Sequence, residues 1–147
     1  TLSKSRSLAG LRVGLAIGDD ALIDGLDRAK NSFNSYPLDQ LALVGAAAAF
    51  KDHTYFKETC RKITTTRDRI IVELIKLGFM VMPSKTNFLL ISHPIIDAKT
   101  IFTHLREKGI LVRYFNLPRI DNHLRVTVGT DAEMDRFVEI LTGIVDG

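Results

Sequence analysis

The spacing of apolar and polar positions changes character near Gly78 of this 147-residue chain. From His53 to Leu77, Phe56, Cys60, Ile63, Ile70 and Leu74 recur at intervals of three, four or seven, with Lys, Arg, Asp and Glu elsewhere. That period predicts one long amphipathic helix, closed by Gly78 where a left-handed glycine cap belongs. Beyond it, FMVMP, TNFLLIS, ILVRYF and LRVTVG predict four short strands, with Pro83 and Ser84 between the first two and the loop NLPRIDN before the last. LRVTVG alternates Leu124, Val126 and Val128 against Arg125 and Thr127, so one face is polar. Asp97 can cap a helix through AKTIFTHLREKG that ends at Gly109. Thr130-Asp131-Ala132-Glu133 has the form of a capping box opening MDRFVEILTGIV. From about residue 79 the order is therefore β-β-α-β-β-α, a compact α+β module led into by the long helix.

Ahead of that helix, LRVGLAI (Leu11 to Ile17) predicts a short buried strand interrupted by Gly14. An aspartate after Gly18 can cap a helix through ALIDGLDRAK, and NSFNSYP, Asn31 to Pro37, predicts a break. A second helix, LDQLALVGAAAAF, follows; its alanines suit close packing, and Gly45 costs it roughly 1 kcal/mol relative to alanine.

Composition narrows the function classes. The net charge of +3 is mild and its cations are spread out, unlike the clustered stripe of a nucleic-acid surface. No apolar run is long enough to cross a bilayer, no secretory leader is recognisable, and Cys60 is alone, so a reducing cytoplasm is the expected compartment. His53, His93, His104 and His123 are scattered, with none at a metal-ligand spacing. The chain begins with Thr1 rather than methionine, which suggests a piece of a longer protein.

The candidate chemistry lies in TLSKSRSLAGLRVG, Thr1 to Gly14. A lysine captures a carbonyl when its amine can lose its proton, for example beside other cations, and Arg6 and Arg12 stand close to Lys4 in sequence. Thr1 and Ser3 carry hydroxyls that suit phosphate oxygens, and Arg12 offers a fork of donors for a phosphate dianion. Ala9 and Gly10 are small enough to admit a planar ligand. Pyridoxal 5'-phosphate, an aldehyde with a phosphate tail, matches this set. A solvated basic segment with accidental spacing is the other reading of the same residues.

SKSRSLAGLRVG resembles the pyridoxal-phosphate attachment motif of the fold-type I aminotransferases. TNFLLIS, GILVRYF and LRVTVGTDAEMDRFVEIL resemble the closing segments of the histidinol-phosphate aminotransferase family, so the likeness covers essentially the whole chain but only the C-terminal part of a much longer enzyme. The resemblance implies an α/β fold: residues 1–52 from a large cofactor-binding domain, 53–78 a connecting helix, and 79–147 an α+β small domain. It implies that Lys4 attaches the cofactor and moves the substrate α-proton, and that Arg12, Ser3 and Thr1 hold the cofactor phosphate. Arg125 would bind the substrate α-carboxylate and Arg113 a substrate phosphate, while Asn87 matches the family pattern and would fix a loop. The implied reaction is transamination between histidinol phosphate and 2-oxoglutarate or glutamate in histidine biosynthesis, by a homodimer. Aromatic amino acid aminotransferases and a threonine-phosphate decarboxylase share these motifs, and a non-enzymatic interaction module is the alternative of another class. The pyridine-ring contacts would belong to the portion before Lys4, so the 147 residues alone are expected to have little activity. Uncovered apolar surface on the alanine-rich helix and LRVGLAI is expected to favour self-association.

Overall fold

The structure is a computed structural model that describes residues 1–36 and 38–147. The backbone divides into two compact units, Thr1–Thr59 and Cys60–Gly147, and the division falls within one long helix.

The first unit holds a 3-10 turn (Ala9–Leu11), α1 (Asp20–Phe33), α2 (Gln40–Lys51) and the first residues of α3 (His53–Lys76). Asp19 and Asp39 cap α1 and α2 by accepting from the Ala21 and Ala42 amides at 3.0 and 2.8 Å. LRVGLAI is not a strand. Leu2 donates its amide to the Val13 carbonyl at 3.1 Å, but the segment joins no ladder, and a strand exists only through its pairing. Val13 is buried with Leu2, Ala42 and Ala46, whereas Ile17 is 96% exposed. The expected break from Asn31 also begins late, because α1 continues through Asn31, Ser32 and Phe33. Asn31 donates to the Asp27 carboxylate and Ser32 to the Arg28 carbonyl, so both polar side chains are satisfied inside the helix. The break is confined to the residues after Phe33, and Pro37 lies outside the described residues. Gly45 has a packing reason: a Cβ there would meet Leu11 Cδ1 at 3.0 Å, so the missing side chain lets the 3-10 turn lie against α2.

The second unit contains the rest of α3, then β1 (Met80–Val81), β2 (Phe88–Ser92), α4 (Ala98–Glu107), β3 (Arg113–Tyr114), β4 (Leu124–Thr127) and α5 (Asp131–Val145). This is the β-β-α-β-β-α order that the apolar pattern predicts. The sheet is antiparallel, in the order β1-β2-β4-β3. Leu89, Ile91, Leu124 and Val126 turn one face inward onto Ile70 and Leu74 of α3, Ile101 and Leu105 of α4, and Phe137 and Leu141 of α5. Each such fully buried aliphatic side chain stabilises the unit by about 1.5–3 kcal/mol relative to exposure.

Two predicted strands are shorter than their apolar runs. ILVRYF is strand only at Arg113–Tyr114, and FMVMP only at Met80–Val81. Ile110 and Val112 pack on the core from a connecting segment, so their apolarity reflects burial rather than pairing. The helix ends follow the sequence closely. Gly78 (φ +83°) donates to Ile75 and Phe79 to Leu74; Gly109 (φ +78°) donates to Arg106 and Ile110 to Leu105. Both are Schellman closures that satisfy the last carbonyls of α3 and α4. Thr130 and Glu133 form the reciprocal capping box at the start of α5.

Candidate active site

In the first unit the sequence motif folds as a closed turn. The Leu2–Val13 backbone bond sets residues 1–3 alongside residues 12–14, and the Leu8 amide donates to the Leu2 carbonyl at 3.1 Å, closing the loop between. Thr1 Oγ1 and Ser3 Oγ are hydrogen-bonded at 2.8 Å. Arg12 is exposed and takes a left-handed conformation (φ +57°), uncommon for a non-glycine residue, with its guanidinium donating to the Ala9 carbonyl at 3.1 Å. Backbone held in such a region costs of order 1–3 kcal/mol and concentrates at functional sites. Lys4 is exposed at the head of a turn in which the Ser7 amide donates to the Lys4 carbonyl at 3.0 Å. A Cβ on Gly10 or Gly14 would meet no protein atom within 4 Å, so this loop has open space beside its backbone. Two hydroxyls, a guanidinium, an amine and open space form a donor set that fits an aldehyde carrying a phosphate.

Arg6, expected as a cation beside Lys4, has a different environment. Its guanidinium donates to the Ala49 carbonyl and, at 3.2 Å, to the Asp52 carbonyl, and lies 3.8 Å from the Phe56 ring centroid. Arg6 therefore closes the C-terminal end of α2, where a cation complements the helix dipole.

In the second unit, Arg113 and Arg125 stand directly opposite each other across β3 and β4. Both are exposed, on the face away from buried Leu124 and Val126. Aromatic rings support both cations. Arg125 lies 4.7 Å from the Phe88 ring centroid and 5.7 Å from that of Phe115, and Arg113 lies 5.5 Å from Phe115. Phe88, Phe115, Arg125, Met82 and Ile120 help to line a pocket of about 370 Å³ on this face. Two guanidiniums beside an apolar wall can grip an anionic group and shelter the carbon chain that carries it. Asn87 sits at the mouth of β2, where its carbonyl accepts from the Val128 amide at 3.0 Å.

Behind β4, Asp131 at the start of α5 accepts from Thr66 Oγ1 at 2.8 Å and from Arg69 at 3.2 Å. The Thr66 bond, reinforced by Arg69, holds its carboxyl below the usual aspartate range. The phenylalanine platform escaped sequence reasoning, although a signal existed: Arg113 and Phe115 are two apart, so strand period puts them on one face. Buried Thr66 and Arg67 on α3 had no such signal, because they occupy positions where the stripe calls for apolar residues. Lys4, Ser3, Thr1 and Arg12 lie in one unit, and Arg113 and Arg125 in the other. Among the described residues, no group of three or more His, Cys, Asp and Glu could hold a metal ion, and no helix is long and apolar enough to cross a membrane.

Residues 1–141 match the profile of the aminotransferases of class I and II, and the chain belongs to that family. It is 60% identical over 139 residues to a histidinol-phosphate aminotransferase of Clostridium acetobutylicum, covering 95% of this chain and 40% of that protein. It is 57% identical over 145 residues to histidinol-phosphate aminotransferase 1 of Hydrogenovibrio crunogenus, covering 99% of this chain and 41% of that protein. Among solved structures, the histidinol-phosphate aminotransferase of Sinorhizobium meliloti in complex with pyridoxal-5'-phosphate superposes with a TM-score of 0.82 at 29% identity, over 99% of this chain and 40% of that one. The fold is that of the fold-type I aminotransferases. The chain spans about 40% of the length of the curated relatives it matches.

Proposed function

We propose that the protein carrying this chain is a pyridoxal-phosphate-dependent aminotransferase that exchanges an amino group between histidinol phosphate and 2-oxoglutarate or glutamate, in histidine biosynthesis. The observation that carries the substrate is the pair Arg113 and Arg125, opposed on one sheet face over the ring of Phe115. Opposed cations disfavour each other unless an anion lies between them, and a substrate phosphate or carboxylate is such an anion. The names of the relatives at 53–60% identity support the same substrate. The family and the Sinorhizobium complex support the cofactor.

In this reading Arg12, Ser3 and Thr1 hold the cofactor phosphate, and Lys4 Nζ holds its aldehyde carbon. The bound cofactor supplies an electron sink for negative charge at the substrate α-carbon. Lys4 Nζ would take the proton from that carbon. Arg125 orients the substrate through its α-carboxylate, and Arg113 selects for phosphate.

Borohydride trapping tests the assignment. The protein is mixed with pyridoxal phosphate, reduced and digested, and the adduct is located by mass. A stoichiometric adduct at Lys4, lost in Lys4→Ala, is expected; scattered labelling that Lys4→Ala leaves unchanged would overturn it. Steady-state rates on histidinol phosphate, phenylalanine and threonine phosphate test the substrate, and a preference for either of the latter two overturns that part.

A further inference from the structure

Arg67 is a buried charge that the proposed reaction does not use. It is 4% exposed on α3, in the apolar stripe. Its Nε and Nη2 both reach Asp68 Oδ1, at 3.0 and 2.9 Å, and its Nη1 donates to the Thr86 carbonyl at 3.3 Å. Removing a guanidinium from water is costly, and an ion pair with the largely exposed Asp68 could form at the surface without it. Its other contact is to the carbonyl of Thr86, in the turn that enters β2.

That turn is tightly tied. Ser84 Oγ donates to the Phe88 carbonyl at 2.6 Å and accepts the Thr86 amide at 3.1 Å, while Thr86 Oγ1 accepts the Phe88 amide at 3.1 Å. The Asn87 carbonyl accepts from Val128, just beyond β4. These bonds tie Ser84, Thr86 and Phe88 to one another, and the turn ends in Phe88, whose ring lies against the Arg125 guanidinium. A ring at that distance restricts the tilt of the guanidinium and so fixes the direction of its donors.

We infer that Arg67 is a positioning residue for anion recognition: by holding the Thr86 carbonyl it sets the Ser84–Phe88 turn, and through Phe88 it sets the orientation of Arg125. The inference rests on the reading of Arg125 as the group that grips the substrate anion.

The test uses the holoenzyme that carries this chain. Losing an orienting contact that serves ground and transition states alike raises KM and spares kcat. Arg67→Met is expected to raise KM for 2-oxoglutarate by about fivefold or more. Amide exchange over residues 84–90 should quicken with it. Ser84→Ala, which cuts the turn without touching α3, should shift KM in the same direction. A KM unchanged in Arg67→Met, with only a lower Tm, would confine Arg67 to packing and overturn the inference. Should Arg67→Met not fold, Ser84→Ala decides, and an unchanged KM again overturns it. Arg125→Met separates the two failures. If it raises KM while Arg67→Met and Ser84→Ala do not, this inference alone falls; if it leaves KM unchanged, the anion-grip reading of Arg125 falls and this inference with it.

Discussion

Arg113 and Arg125 face each other at a directly paired position of an antiparallel ladder, where like charges are unfavourable. Their cost is offset by the rings of Phe88 and Phe115 and, in the proposed function, by an anion. Removing one cation should therefore change anion response more than stability. In Arg113→Gln the lost repulsion and the lost ring contact are both about 0.5–1 kcal/mol and oppose each other. We expect a nearly unchanged Tm in dilute buffer and a clearly smaller Tm rise on adding inorganic phosphate than in the unsubstituted protein; an equal rise in both would argue against anion binding at the pair. Asp131 gives a residue-scale pH dependence. Its folded pKa lies below the usual value of 3.8, first because of the Thr66 bond and then because of Arg69. A depressed carboxyl contributes stability that is present above the unfolded pKa and lost as pH falls through the folded one. Asp131→Asn should thus be less stable than the parent near neutral pH, and the two should converge on acidification below 3.8, measured by denaturant unfolding across pH. A deficit that persists unchanged in acid would sink the assignment. The roles proposed for Arg125 and Arg113 come only from family resemblance, whereas Arg125's polar-face placement was legible in the alternation of LRVTVG alone.

At the scale of elements, local chemistry decided the ends and tertiary pairing decided the lengths. Asp97 caps α4, Thr130 and Glu133 box α5, and Gly78 and Gly109 close helices, each as its sequence context predicts, because these bonds are made within a few residues. Thr130→Ala should cost about 1 kcal/mol of stability. Gly78→Ala should cost about 1–2 kcal/mol for its left-handed backbone. A Cβ at Gly78 would also come within 3.3 Å of His93 Nε2, so the loss should be larger than for Gly109→Ala, where a Cβ meets no atom within 4 Å. Denaturant unfolding of the two variants would show equal losses if the His93 contact did not matter. LRVGLAI and ILV of ILVRYF look like strands by composition, yet neither has a ladder partner along its length, and no local signal carries that information.

For the whole molecule, the first unit exposes Ile17, Leu22, Phe33, Leu41 and Val44, and Leu41 is 81% exposed on α2. Apolar surface of this kind favours association. We expect the 147-residue chain to elute above monomer mass in size exclusion with light scattering, and Leu41→Glu with Val44→Glu to lower that mass; a clean monomer would count against it. The sequence by itself determined the order of elements beyond Gly78, the helix caps, the inward face of LRVTVG and the attachment-like motif around Lys4. Those features depend on neighbours within one turn or on strand period, and both are written in adjacent residues. Only the tertiary structure decided that Leu11–Ile17 stays unpaired, that Arg6 closes α2, that Phe88 and Phe115 support the two arginines, and that buried Arg67 reaches the Thr86 carbonyl. Each of these depends on a partner distant in the chain, and a polar side chain in an apolar stripe reveals its purpose only when that partner's position is known.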